Sequence, residues 1–238
     1  MFDPKKLLND LLNSPVPGGA EGGNNTVRDK ASQVGQLAKD NPLVTGALAA
    51  VLLGTGAGRS ITGSALKVGG VAAVAGLAYK AYQNYQSGQK AEEIEAQGAE
   101  QDVLTPPKDS DFAPETAPQG ADEFTLSLVK AMIAAARADG HIDDNERARI
   151  AEKLSMGGYD EDAQNFIRAE LSKPVDIDTL VSSAKTEAQR VELYTASRLA
   201  IDPQTRAERG YLDMLAGRLS LPDPLVDHIE ATINQATT

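Results

Sequence analysis

The densest group of acidic side chains in the sequence lies in one short stretch, residues 138–146, which reads ADGHIDDNE. Several carboxylates on one tight turn can supply the oxygen ligands that calcium and magnesium prefer. The stretch is not an EF-hand loop. Counted from Asp139, the positions where that motif has Gly and Glu hold Asp144 and Ile150. A cation site here would therefore have a coordination geometry different from that of an EF-hand loop.

The same turn also fits a structural role. Gly140 is suited to end one helix, and Asp143 with Glu146 three residues later has the spacing of a capping box that begins the next helix. A third interpretation is that this turn docks against another protein. Helix capping, cation binding and protein docking all stay open at this point.

A second acidic junction follows about sixty residues later. Asp202 is followed by Pro203, which is the arrangement of a helix N-cap and the first helical residue. Both junctions place Asp directly after Ile, at Ile142 and Ile201. If the two halves pack as a pseudo-repeat, the two turns would lie close together and pool their carboxylates.

Residues for catalysis are scarce. The chain has no Cys, so thiolate nucleophiles and Cys-ligated metal sites are excluded. His141 and His228 are its two histidines, and neither belongs to a recognisable nucleophile–base arrangement. We expect His141 in a solvated turn and His228 on a helix surface. The glycine-rich stretch 54–60 resembles a phosphate-binding loop, but it is one residue short and has Arg59 in place of the Lys.

The charges that surround these groups are unevenly distributed. The 238 residues carry 23 basic and 34 acidic side chains, for a net charge of −11. Residues 1–90 have nine basic and five acidic side chains, and residues 91–238 have the other 14 basic and 29 acidic ones, so the two parts carry +4 and −15. Such an acidic chain is not expected to bind nucleic acid as its main partner, because phosphate contacts need clustered Lys and Arg.

The basic N-terminal part divides into two regions. Residues 1–40 predict a short amphipathic helix followed by a flexible polar region, and residues 41–85 are rich in Gly and Ala. Two apolar runs, 43–58 and 60–79, predict a membrane hairpin or a single membrane span, although Lys67 interrupts the second run. The alternative is a soluble pair of Gly/Ala-rich helices hidden against a partner. Small residues recur every four positions and favour close helix packing: Gly46, Ala50, Gly54, Gly58, Ala65, Gly69 and Ala73.

The acidic C-terminal part predicts a tethered helical domain. Residues 86–121 contain four prolines, many acids and few large apolar residues, which is typical of a disordered linker. Residues 122–238 show helical periodicity throughout, and no stretch alternates as a strand would. The fold class is therefore all-α, with helices predicted at 160–171, 178–185, 187–200, 204–219 and 224–235.

Longer phrases of the sequence resemble a known family. The stretches ARADGHIDDNERARI and ELYTASRLAIDPQTRAERGYLDMLAGRLSLP, together with the glycine-rich segment, resemble the uncharacterised bacterial inner-membrane family typified by YebE. The C-terminal half is similar to the tellurite-resistance TerB domain. The resemblance implies a compact TerB-like helical bundle, a role in metal-stress response and divalent-cation binding at acidic helix junctions. By position, it implies the ligands Asp139, Asp143, Glu146 and Asp202, with Asp144 and Glu208 as secondary candidates.

Together these features predict a non-enzymatic protein of the bacterial inner membrane. Its C-terminal domain would lie in the cytoplasm and recruit an unidentified protein partner in envelope or metal-stress response. One alternative is a domain that binds or senses calcium or magnesium, with no other cofactor expected. A further alternative is a hydrolase, which would need a deep polar pocket holding His141 beside an acid. Membrane lipid and a second copy, joined through the Gly-rich helices, are the other expected partners.

Overall fold

The computed structural model describes residues 3–13, 70–91, 94, 105–138, 161–201, 203 and 205–236. The regular structure in this part of the chain is all helical, with no strand, which confirms the all-α prediction for it. Besides a single 3₁₀ turn at Pro114–Thr116, it has eight α-helices. They are α1 (Pro4–Asn13), α2 (Gly70–Gln86), α3 (Ala121–Ala136), α4 (Glu161–Ser172), α5 (Ile177–Ser183), α6 (Glu187–Ala200), α7 (Arg206–Arg218) and α8 (Asp223–Ala236).

Side-chain caps begin several of these helices. The carboxylate of Asp3 accepts hydrogen bonds from the backbone N–H groups of Lys5 and Lys6 at the start of α1. Thr186 accepts one from the N–H of Gln189 at the start of α6. These bonds satisfy donors that have no partner inside the helix, so the sequence fixes where each helix begins.

The start of α7 differs from the prediction. Asp202 and Pro203 were expected to cap and open this helix, but Thr205 is its N-cap and Arg206 its first residue. Thr205 and Glu208 form a capping box, in which each side chain binds the backbone N–H of the other residue. This reciprocal pair satisfies two donors at the start of the helix that have no partner inside it. Asp202 itself lies outside the described residues.

One hydrophobic core joins the helices. Helix α6 packs against α3 and α2, and α8 packs along α2. Helix α1 lies against α2 and α3, with Leu7 and Leu8 buried in the core. Helix α3 supplies a long buried surface that includes Leu128 and Met132. The described helices thus form one packed unit around α6.

Helix α2 belongs to this core, although its residues were assigned to a membrane-type segment. Its small side chains Ala73, Val74, Ala78 and Ala81 are buried, and the helix packs against α6 and α8. In the structure, other helices of the same chain cover this helix. None of the helices in the described ranges has the length and apolarity needed to cross a membrane. The other six packing residues, Gly46 to Gly69, lie outside the described residues.

Residues 105–120 belong to the segment predicted to be a disordered linker, and they are ordered in the structure. Phe112 is only 5% exposed, and its ring lies 5.5 Å from that of Tyr79 and 5.4 Å from that of Tyr82. The amide of Gln119 donates to the carbonyl oxygen of Ser183. The prediction of disorder is wrong for these residues, because one buried aromatic ring and a few turn hydrogen bonds hold them. The core therefore crosses the domain boundary predicted near residue 121.

Candidate functional site

Of the six candidate cation ligands, the structure describes Glu208. Asp139, Asp143, Asp144, Glu146 and Asp202 all lie outside the described residues. Within the ranges that the structure describes, no group of three or more His, Asp or Glu side chains is placed to hold a metal ion. Whether the two acidic turns meet stays a prediction.

Glu208, a secondary candidate ligand, has a structural role. Its carboxylate accepts hydrogen bonds from the backbone N–H of Thr205, at 2.8 Å, and from the Thr205 hydroxyl, at 3.0 Å. In return, the N–H of Glu208 donates to the Thr205 hydroxyl oxygen at 3.2 Å. The side chain is buried and engaged at the start of α7. Glu208 therefore stabilises a helix terminus.

His228 differs from the prediction that it lies on a helix surface. It is 4% exposed on α8, and its ring centre lies 6.1 Å from that of Tyr85 on α2. Its Nδ1 atom has no hydrogen-bond partner. The imidazole fills the α2–α8 contact, because α8 turns this face towards the core. His141, which the hydrolase alternative requires, lies outside the described residues.

A buried polar network joins α6 to α8. The guanidinium of Arg198, 4% exposed, donates from Nε to Glu230 Oε2 at 2.6 Å and from Nη2 to Asn234 Oδ1 at 3.3 Å. Its Nη1 donates to the carbonyl oxygen of Ile201 at 2.8 Å. Tyr194 completes the network by donating to Glu230 Oε1 at 3.1 Å, and burial raises the pKa of its hydroxyl. These bonds fix the end of α6, just before Asp202.

Glu192 is a buried acid on α6 and, unlike Glu230, has no cation beside it in the network just described. It is 2% exposed, and its Oε2 atom is buried without a hydrogen-bond partner. Burial raises the pKa of this carboxyl well above its ordinary value of 4.5, because the charged form loses its hydration. Burial therefore favours the protonated, neutral form of Glu192 inside the core.

A groove of about 260 Å³ opens between α3, the loop from α4 to α5, and α5 itself. Three buried apolar side chains, Ile133, Ala134 and Leu180, contribute to its wall. Lys130 and Val175 also line it and are exposed to solvent. Its other lining residues are Ser127, Arg137, Glu170, Lys173, Pro174, Asp176, Thr179 and Ser183.

Several polar side chains of the groove hold helix ends together. Arg137 donates from Nη1 to the carbonyl oxygens of Glu170, at 3.3 Å, and Lys173, at 2.6 Å. Asp176 caps α5 by accepting from the N–H of Thr179 at 2.9 Å and from its hydroxyl at 2.7 Å. These two bonds lower the pKa of Asp176 below its ordinary value of 3.8, so it is ionised at neutral pH. These hydrogen bonds of Arg137 and Asp176 form the frame of the groove, because they hold the end of α4 and the start of α5.

Sequence reasoning missed this groove. Its lining comes from two separate stretches of the sequence, residues 127–137 and 170–183. The ratio of basic to acidic residues along the groove is one feature that differs from the rest of the acidic part. Three of the 14 basic residues in 91–238 line the groove, against two of the 29 acidic ones.

Comparison with known proteins identifies a family without an assigned activity. A protein of Yersinia enterocolitica described as "Uncharacterized protein in ampR 5'region" is 31% identical over 114 residues, which cover 48% of this chain and 82% of that protein. No solved structure gives a significant match. The YebE-like and TerB-like resemblances stay predictions. The family described as "Protein of unknown function (DUF533)" matches residues 38–233, more than half of the chain, and the chain belongs to this family.

Proposed function

We propose that this chain is a non-enzymatic, membrane-associated protein whose helical bundle recruits a protein partner. The observation that carries the proposal is the groove between α3 and α5, where three buried apolar side chains form the wall and an exposed Val175 and an exposed ammonium group lie at the rim. Protein interfaces combine such an apolar centre with a polar rim.

The groups that line the groove favour binding over chemistry. The carboxylate of Asp176 is used as a helix cap, and that of Glu170 pairs with Lys173 at 2.7 Å. Arg137 holds the end of α4 through backbone carbonyls. An acid–base pair needs groups that can exchange protons with a substrate, whereas these groups support the fold.

An exposed apolar side chain at the rim of the groove supports the binding of a partner protein. Val175 is 37% exposed and, with Met214, is one of two large hydrophobic side chains exposed in the described part of the chain. Val175 lies beside the apolar wall of the groove. A side chain from a partner that covered Val175 would remove apolar surface from water.

The membrane part of the proposal rests on the residues before α2. Residues 43–58 form an uncharged run of 16 residues rich in Leu, Val, Ala and Gly. As a helix, this run would be roughly 24 Å long, somewhat shorter than the roughly 30 Å hydrocarbon core. Because α2 packs within the bundle, attachment would have to come from residues 41–69. We place the bundle on the cytoplasmic side of the bacterial inner membrane.

Site-specific photocrosslinking in bacterial cells tests both parts. The full chain would carry p-benzoylphenylalanine in place of Val175, with the same probe in place of the exposed Lys108 as the matched control. We expect a discrete crosslinked protein in the membrane fraction from position 175 alone. Recovery of the whole chain in the soluble fraction would overturn the membrane part. Identical products from both positions, or none, would overturn partner recruitment.

A further inference from the structure

We propose that the groove between α3 and α5 binds an acidic segment of a partner protein. In this arrangement, a carboxylate of the segment pairs with Lys130, and a neighbouring apolar side chain covers Ile133 and Leu180. The inference rests on the proposed function and names the chemistry of the partner.

The first support is the sign of the charge. Residues 91–238 carry −15, with about two acids for every base. The lining of the groove reverses this ratio. It has Lys130, Arg137 and Lys173 against Glu170 and Asp176, a formal charge of +1. An acidic ligand would be repelled by the average surface of the domain, and this lining is a local exception.

The second support is how the two acids are engaged. Glu170 is paired with Lys173, and Asp176 accepts two hydrogen bonds from Thr179. Lys130 is exposed on α3 and makes no ion pair with any other described residue. Among the described residues, an incoming carboxylate would therefore not have to displace another acid from the ammonium group of Lys130.

The third support is the spacing along α3. Lys130 and Ile133 are three residues apart, so they lie on one face of the helix about 4.5 Å apart along its axis. A carboxylate and an adjacent apolar side chain could contact both at once. The volume of about 260 Å³ lies below the roughly 300–1,000 Å³ of typical small-molecule sites. A few side chains of a protein segment match this size and this mixture of charge and apolar surface.

Selection of peptides on the intact chain tests the inference. A display library of random 12-residue peptides would be panned against the full-length protein, and binding of the selected peptides would be measured by fluorescence anisotropy at low and high NaCl. We expect Asp or Glu next to Leu, Ile or Phe in the selected peptides. Their affinity should fall as salt rises, because exposed charges are screened.

Paired charge reversals assign binding to the groove. Lys130→Glu should weaken binding about tenfold, because it replaces an attraction by a repulsion. Lys108→Glu makes the same charge change outside the groove and should change affinity less than about twofold. Urea unfolding of both variants checks the fold. Lys130→Gln removes the charge without repulsion and should give a smaller loss in the same direction.

Each of the other outcomes overturns the inference in a recognisable way. Selection of basic or uncharged peptides would exclude an acidic partner. Equal losses from Lys130→Glu and Lys108→Glu would exclude the groove. Displacement of the peptides by inorganic phosphate alone would indicate a simple anion site, and displacement by phosphatidylglycerol vesicles would indicate a lipid surface. If crosslinking at position 175 still captures a partner in any of these cases, recruitment stands and only the acidic chemistry fails.

Discussion

The α6–α8 contact and the α3–α5 groove use charged side chains in opposite ways. At the α6–α8 contact, the buried guanidinium of Arg198 has bonds to Glu230, Asn234 and a backbone carbonyl. At the groove, Lys130 is exposed and makes no ion pair with another described residue. Charges that are fully paired inside the bundle hold a single packing arrangement, whereas charges left at a rim are available to a partner.

The largest expected effect comes from breaking the buried network. Arg198→Ala leaves the carboxylate of Glu230, whose side chain is 28% exposed, without its cation. We expect a loss of about 3 kcal/mol in the free energy of unfolding, because removal of one partner strands the other charge. Urea denaturation measures this loss. Arg190→Ala, an exposed change on the same helix, is the control, and equal losses in the two variants would contradict a structural role for the network.

A smaller and pH-dependent effect is expected for Glu192. Because burial raises its folded pKa above the ordinary value of 4.5, the folded state keeps a proton that the unfolded state releases. This contribution to stability is complete below the ordinary pKa and is lost as pH rises towards the folded pKa. The loss is at most about 1.4 kcal/mol per pH unit.

Glu192→Gln removes this titration while nearly keeping the size of the side chain. The variant should gain stability relative to the parent chain as pH rises from 5 to 7, as measured by urea denaturation at each pH. Glu161→Gln, on the exposed first turn of α4, should show no such trend. Parallel pH profiles for Glu192→Gln and the parent chain would show that Glu192 is hydrated.

The smallest effect is expected in the frame of the groove. Asp176→Ala removes the N-cap of α5 and should lower stability less than Arg198→Ala does. The pKa of Asp176 is lowered, so its stabilisation is present above the ordinary value of 3.8 and is lost as pH falls through the folded pKa. Amide hydrogen exchange in α5 at pH 6 measures this local loss. Asp176→Asn keeps an acceptor oxygen and should restore most of the protection, and failure to do so would assign the effect to charge alone.

Local signals explain which parts of the fold could be predicted. Helix α6 was placed at its observed bounds, Glu187–Ala200, and α4 and α8 were placed within one residue at each end. These helices have clear periodicity and clear terminators such as Pro174. Such features act within a few residues of one another, so they can be read along the sequence.

The errors concern contacts between distant residues. The small side chains of α2 suit a lipid environment and a protein core equally well. Only the packing of α2 against α6 and α8 shows which of these environments it occupies. Phe112 stands among prolines and acids, so its burial depends on Tyr79 and Tyr82, which lie thirty residues or more before it. The groove could not be predicted for the same reason, since Lys130, Val175 and Leu180 lie on α3, on the loop before α5 and on α5.

The packing of α2 against α8 also sets an order for folding during synthesis. Helix α8 begins 137 residues after α2 ends. At a typical rate of about 5–20 residues per second, the ribosome needs on the order of ten seconds to make the intervening chain. Through that time, the face of α2 that packs against α8 has no partner helix and is open to a chaperone or a membrane surface. A nascent chain that stops before α8 would leave this face uncovered.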